Sequence, residues 1–205
     1  MLHDLWTRLL WRITSLGDIR FALPIAAILV IWLCTRRRWQ TAIWYTVAVL
    51  GCSAAILFLK LAVFAGDLQL AALGLQNPSG HSAVAAVVYG SFAWLLSREM
   101  PDWRGRALLV LACAGVAAIG ASLYVVRAHT LADVFVGLTL GSGCALAFAW
   151  LNPDEAAPAA ATPTPVRRLL LAVALVAMSL QAVHLMPRLT PTSLLLRVTS
   201  LSAPV

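Results

Sequence analysis

The 205 residues are 61% hydrophobic and only 11% charged, with a formal net charge of +7. A soluble domain carries about 25% charged residues and could not bury this much apolar surface, so an aqueous globular fold is excluded. The basic balance does not point to nucleic acid, because the fourteen Arg and one Lys flank apolar runs, where they set topology and meet anionic lipid headgroups.

Residues 2–16, LHDLWTRLLWRITSL, place Leu2, Leu5, Trp6, Leu9, Leu10, Ile13 and Leu16 on one helical face, with Arg8 and Arg12 elsewhere on the wheel. Segment 1–19 therefore reads as an amphipathic helix lying in the membrane interface, or equally as one packed on a bundle. Six apolar runs follow, at about 20–35, 41–64, 82–97, 106–126, 131–151 and 168–186. Runs of about 20 apolar residues cross a bilayer core, so residues 20–187 read as an all-α, polytopic six-helix transmembrane bundle. Between the last two runs, NPDEAAPAAATPTP has the composition of a flexible linker at about 152–166, and residues 188–205 form a tail. The GLTLG segment from Gly137 to Gly141 predicts close approach of another helix. Cys34, Cys52, Cys113 and Cys144 lie inside apolar runs without CxxC spacing and read as small packing residues. No A-x-A-like site follows the first run, which is expected to remain as the targeting signal.

Topology decides which polar islands can meet. Arg36, Arg37 and Arg38 follow the first span, Arg98, Arg104 and Arg106 the third, and Arg167 and Arg168 precede the sixth. The clustered side is expected to be cytoplasmic by the positive-inside rule. Lys60, Ser79, Gly80, His81, Arg127, His129 and Asp133 then share the opposite face, at one depth.

Ionisable groups at membrane depth are costly and count as functional candidates with a partner nearby. His129 and Asp133 are four residues apart, so on a helix the carboxylate could orient the ring, the base half of a catalytic triad. His81 comes from another span and could donate a proton. Lys60 and Arg127 supply cations. The stretch NPSGHS at 77–82 opens the third span, where backbone N–H groups at a helix start form an anion cradle. This set suits phosphoryl transfer without a metal or other cofactor. His3 and His184 read as interfacial residues. No HExxH or Cys/His cluster points to zinc, GHSAV lacks the second Gly of a nucleophile elbow, and no P-loop is present.

PSGH at 78–81 and SLYVVRAHTLAD at 122–133 carry a resemblance. The chain resembles the type 2 phosphatidic acid phosphatases, membrane relatives of the vanadium haloperoxidases, whose pattern is K-x6-RP, PSGH and SR-x5-H-x3-D. Lys60, the whole of PSGH, Ser122, His129 and Asp133 keep that spacing, and the resemblance covers about residues 20–187. Asp67 and Leu68 stand at the RP pair and Leu123 at the Arg after Ser122. The resemblance implies that His129 attacks phosphorus and becomes phosphohistidine, that Asp133 orients it, and that His81 protonates the leaving oxygen. Lys60, Ser79 and the Gly80 amide would hold the phosphate oxygens. Arg127, one turn beyond Leu123 if the helix continues, is expected to replace the missing guanidinium.

The expectation is a multi-pass enzyme of the bacterial inner (plasma) membrane with its site facing the periplasm or exterior. It would hydrolyse a lipid phosphomonoester or diphosphate such as undecaprenyl diphosphate or phosphatidate, with the bilayer and its lipid phosphate as partners. The alternatives are a lipid phosphotransferase using the same intermediate and a catalytically weak lipid-binding or translocating relative.

Overall fold

A computed structural model describes residues 2–66, 72–100, 102–152 and Val173. Among them every regular element is helical: α1 (Leu2–Leu16), α2 (Ile19–Thr35), α3 (Trp39–Phe64), α4 (Gly80–Ser97), α5 (Asp102–Val125) and α6 (Leu131–Leu151). The spans expected at 20–35, 41–64, 82–97, 106–126 and 131–151 correspond to α2 through α6. The sixth expected span, the linker beyond Asn152 and the C-terminal tail lie outside the described residues, apart from Val173.

Four helices, α3 to α6, are long and apolar enough to cross a membrane, or five spans if the bent pair α1–α2 counts as one. Their outer faces agree: Phe64 is 92% exposed and Trp150 79% exposed, and Phe58, Leu146 and Leu111 also lie on the surface. So many exposed large apolar side chains require lipid rather than water around them.

Helix α4 is central. Its Val84, Val87, Val88, Leu95 and Leu96 are buried against Leu29 and Leu33 of α2, Tyr45 and Val49 of α3, and Phe148 of α6. Tyr45 and Trp94 meet the Phe148 ring edge-on, with centroids 5.8 Å and 5.6 Å away. Between apolar helices in lipid, close backbone approach supplies much of the attraction, and small residues permit it. A Cβ on Gly137 would run into the Ser79 carbonyl, and one on Gly141 into the Ala83 carbonyl. The GLTLG segment thus does what its composition predicts, and it lays α6 directly on α4.

The N-terminal helix does not lie free in the interface. It turns through a 44° corner into α2 at Gly17 and Asp18, and its last turns pack on α5. Ile13 and Leu16 join a second apolar cluster of Ala85, Ile119, Leu123 and Val134. Thr14 Oγ1 lies 2.9 Å from Ser122 Oγ, and the Tyr89 hydroxyl donates to the Leu16 carbonyl at 2.6 Å. Trp6 and Leu9, assigned by the wheel to the same face, remain exposed. Of the two sequence alternatives, packing holds for the C-terminal half.

At the end of the bundle away from the polar residues described next, α2 closes on a left-handed Arg37 (φ 57°), and Arg38 donates to Glu99 at 3.1 Å. That pair ties the α2–α3 turn to the end of α4. Burial pushes the Glu99 carboxyl above its usual value, while Arg36 and Arg38 pull it down.

Candidate active site

The connections before α4 and before α6 meet at one end of the bundle. Helix α4 starts at Ser79, whose Oγ accepts the Ser82 N–H at 3.3 Å and the Ser82 hydroxyl at 3.0 Å. Ser79 is therefore an N-cap, and it is fully buried. The N–H groups of Gly80 and His81, in the first turn, have no hydrogen-bond partner among the described residues. Lys60, near the end of α3, places its Cε 4.0 Å from where a Cβ on Gly80 would be. Two unpartnered amides and an ammonium group thus flank one helix start, an arrangement that favours an anion.

Helix α5 stops at Val125. The Ala128 N–H donates to Leu123 O and the Arg127 N–H to Tyr124 O, both at 3.0 Å, with Arg127 left-handed at φ 58°. This is a Schellman closure with arginine where glycine is usual. Three residues on, Thr130 caps α6 reciprocally: its Oγ1 accepts the Asp133 N–H at 3.1 Å, and Asp133 Oδ2 accepts the Thr130 N–H at 3.2 Å. His129 stands between a closed helix end and a closed helix start.

Asp133 is 1% exposed, and its carboxylate reaches across to the other connection. Oδ1 accepts the Gln76 N–H at 3.0 Å and the Asn77 N–H at 2.9 Å. The Asp133 main-chain carbonyl accepts the Ser79 N–H at 3.1 Å. His129 Nδ1 lies 2.8 Å from the Asn77 carbonyl oxygen. A carbonyl can only accept, so Nδ1 carries a proton, and in the neutral ring Nε2 keeps its lone pair.

The expected direct grip of Asp133 on His129 is therefore corrected. His129 precedes the helix, so the four-residue spacing is not a helical turn. The carboxylate holds the Asn77 peptide, and that peptide holds the ring. The expected route for Arg127 also changes: with the helix ended at Val125, Arg127 does not continue the face of Leu123. Leu123 is 1% exposed inside the second apolar cluster, and Ser122 lies beneath α1. Arg127 reaches the site from the surface instead, lining a cavity of about 270 Å³ with Gln76, Asn77, His129, Thr130 and Asp133. Asp67 and Leu68 lie outside the described residues.

His81, the second residue of α4, faces His129 with ring centroids 6.5 Å apart and planes tilted by 55°. One substrate group between them could meet both rings. On its far side, His81 Nε2 lies 3.7 Å from Asp18 Oδ2. The chain thus brings Lys60, Ser79, Gly80, His81, His129 and Asp133 to one end, with Arg127 at the rim. Among the described residues no group of three His, Cys, Asp or Glu side chains stands ready to hold a metal ion. Three contributors were missed in the sequence. Gln76 and Asn77 act through backbone atoms, which residue types do not encode. Asp18 had a signal: a lone carboxylate after Gly17 that interrupts two apolar helical segments.

Beneath the polar residues runs an apolar groove of about 430 Å³, floored by Ala86, Gly90 and Ala93 of α4 and walled by Leu138, Ala145 and Ala149 of α6. Leu138 lies five residues along α6 from Asp133 but about 140° around its axis, and no residue of the site lines the groove.

The PAP2 superfamily model matches residues 61–156. An uncharacterized 22.5 kDa protein in the cps region of Klebsiella pneumoniae is 33% identical over 134 residues. The match spans 64% of this chain and 64% of that relative. No solved structure matches. The matched segment contains the start of α4 with His81, the Schellman turn, His129 and the α6 cap, so the part of the chain that is similar to the PAP2 superfamily carries most of the site.

Proposed function

We propose that this protein is an integral membrane lipid phosphatase that hydrolyses a lipid phosphomonoester or diphosphate, of the undecaprenyl diphosphate or phosphatidate kind, through a phosphohistidine. PAP2 superfamily members are phosphatases, which supports a phosphoric ester hydrolase in general. The observation that carries the finer reading is His129, with Nδ1 committed to the Asn77 carbonyl and His81 across a 6.5 Å gap.

In this reading His129 Nε2 attacks phosphorus, and the bond from phosphorus to the lipid oxygen breaks. The departing oxygen takes a proton from His81, so the lipid leaves as an alcohol or a monophosphate. Water then attacks the phosphohistidine while His81 takes back a proton, and inorganic phosphate leaves as the P–N bond breaks. The Gly80 and His81 amides and Lys60 hold the oxygens where negative charge builds up. Ser79 shapes the cradle as the α4 cap, and Arg127 approaches from the rim. The exposed apolar faces of the spans that carry the site support an amphiphilic substrate, whose tail stays in hydrocarbon while its phosphate meets the rings. The arginine clusters at the opposite end support a site facing the periplasm or exterior of an inner-membrane protein.

Phosphate release by the purified protein from a panel of lipid phosphates, with EDTA present, tests the reading. Release that persists in EDTA and is blocked by vanadate, a mimic of the five-coordinate transition state, is expected. A second reading, a catalytically weak lipid-binding relative, draws on the burial of Leu123 where the family pattern has arginine. Lipid binding with no phosphate release from any substrate would favour it.

A further inference from the structure

Asp18 belongs to neither connection that builds the site. It sits at the α1–α2 corner, outside the matched segment, yet its carboxylate points at a ring of the site. The corner comes this close because Gly17 has no side chain. A Cβ there would lie 3.2 Å from the His81 carbonyl oxygen, 3.3 Å from His81 Cβ and 2.8 Å from Ile119 Cγ2. The Thr14–Ser122 and Tyr89–Leu16 hydrogen bonds fix the corner on α4 and α5. Asp18 Oδ1 caps α2 by accepting the Arg20 N–H at 2.9 Å and meets Arg20 Nε at 3.3 Å. Oδ2 is the oxygen that faces His81 Nε2, at 3.7 Å.

We propose that Asp18 is a positioning residue for His81, turning Nε2 toward the corner and opposing the loss of the proton that the ring gives up as general acid. The proposal rests on the phosphatase reading above. The charged and titratable groups facing His81 are Asp18 from the α1–α2 corner, His129 from the α5–α6 connection and Lys60 from α3. Burial most of all, and then the groups on the cradle side, disfavour a proton on His81, and Asp18 alone opposes them. With Nε2 directed at Asp18, Nδ1 is the nitrogen left for the leaving oxygen. It has no protein partner among the described residues. When His81 gives up its proton the carboxylate remains ionised, and it favours recovery of a proton from the attacking water in the second half-reaction. One residue thereby serves both half-reactions without touching the substrate.

Three variants separate this role from helix capping. Asp18→Asn removes the charge but is as good an N-cap, so α2 is retained. Asp18→Glu restores the charge. Asp18→Ala removes both. An opposite charge this close shifts a pKa by about 1–3 units, so Asp18→Asn should move the alkaline limb of kcat to lower pH by about one unit. At pH 8 that lowers turnover of a lipid phosphate about tenfold, while a nitrophenyl ester, whose leaving group needs little protonation, is slowed less than twofold. Asp18→Glu should recover most of the limb. NMR titration of ring-labelled His81 in detergent reads the same shift without any turnover. If the wild-type protein releases no phosphate, the phosphatase reading fails, and the titration still decides whether Asp18 holds the proton. An unchanged His81 titration in Asp18→Asn, or an unchanged alkaline limb in an active enzyme, overturns the proposal. So does an equal loss on both substrates.

Discussion

His129 and Asp133 meet only through the peptide of Asn77. Asp133 Oδ1 accepts the Asn77 N–H at 2.9 Å, and the Asn77 carbonyl lies 2.8 Å from His129 Nδ1. The carboxylate therefore acts on the His129 ring by fixing a loop, and its removal should show up in stability as well as rate. In Asp133→Asn at least one of the Gln76, Asn77 and Thr130 N–H groups loses its acceptor, at about 1–3 kcal/mol for each buried donor left unpaired. The variant should lose thermal stability together with roughly 10–100-fold in kcat/KM. A large rate loss at unchanged melting temperature would instead mean a direct electrostatic action on the ring.

The two histidines should separate by leaving group. His129→Ala is expected to be inactive on every substrate, because in the phosphatase reading it removes the nitrogen that attacks phosphorus. His81→Ala should lose roughly 10²–10⁴-fold on a natural lipid phosphate and much less on a nitrophenyl ester. Equal losses on both esters would show that His81 is not the acid.

Arg127 invites a substitution that spares the backbone. Its φ of 58° suits glycine better than arginine, so Arg127→Gly keeps the Schellman turn and removes only the guanidinium. A charged hydrogen bond to phosphate is worth about 1.5–3 kcal/mol, which predicts a 10–100-fold drop in kcat/KM for Arg127→Gly at normal protein level. Adding Leu123→Arg should not restore the loss. Position 123 is buried among Ile119, Val134, Ile13 and Leu16, and a guanidinium there lacks a partner. Rescue by that double variant would show that the cluster opens toward the site.

The contact between α4 and α6 can be tested with two glycines two residues apart. Gly141→Ala drives a methyl into the Ala83 carbonyl, and overpacking of this kind costs about 1–3 kcal/mol. Gly143 has open space around it, so Gly143→Ala should be silent or slightly stabilising through helix propensity. Melting temperatures in detergent decide, and similar effects for the pair would contradict the packing described.

Orientation is read by labelling. Leu73, in the connection before α4, is 68% exposed. Leu73→Cys, in a background without the four native cysteines, should react with a membrane-impermeant maleimide on intact cells whose outer membrane, if one exists, is permeabilised. Reaction only after lysis of the inner membrane would place the site on the cytoplasmic side.

Much of the fold was legible because its determinants are local and repetitive. Apolar runs gave α2 to α6 within a few residues, and Gly137 and Gly141 announced a close helix. The PSGH stretch read as a helix start, and Ser79 does cap α4. The details that escaped depend on backbone partners. Spacing alone made His129 and Asp133 look like a helical pair, since nothing in HTLAD says that the helix begins after the histidine. Thr130 at the cap and Asp133 three residues later were the clue, a capping-box pattern that competes with a helical reading of His129. Arg127 was misplaced for a related reason: a left-handed arginine at a helix end is rare, and no glycine marked the stop. Asp18 was passed over because its partner is 63 residues away in sequence and on another helix.

The bonds of Asp133 also set an order of assembly. Residues 76 to 81 leave the ribosome about fifty residues ahead of 129 to 133. Until α6 is laid against α4, the N–H groups of Gln76, Asn77 and Ser79 lack their acceptors, and His129 lacks the carbonyl that orients it. His129 is therefore oriented only once the bundle closes, and a chain caught midway through insertion would carry every residue of the site without the geometry to use them. In the phosphatase reading, a partly inserted copy would sit among lipid phosphates and leave them intact.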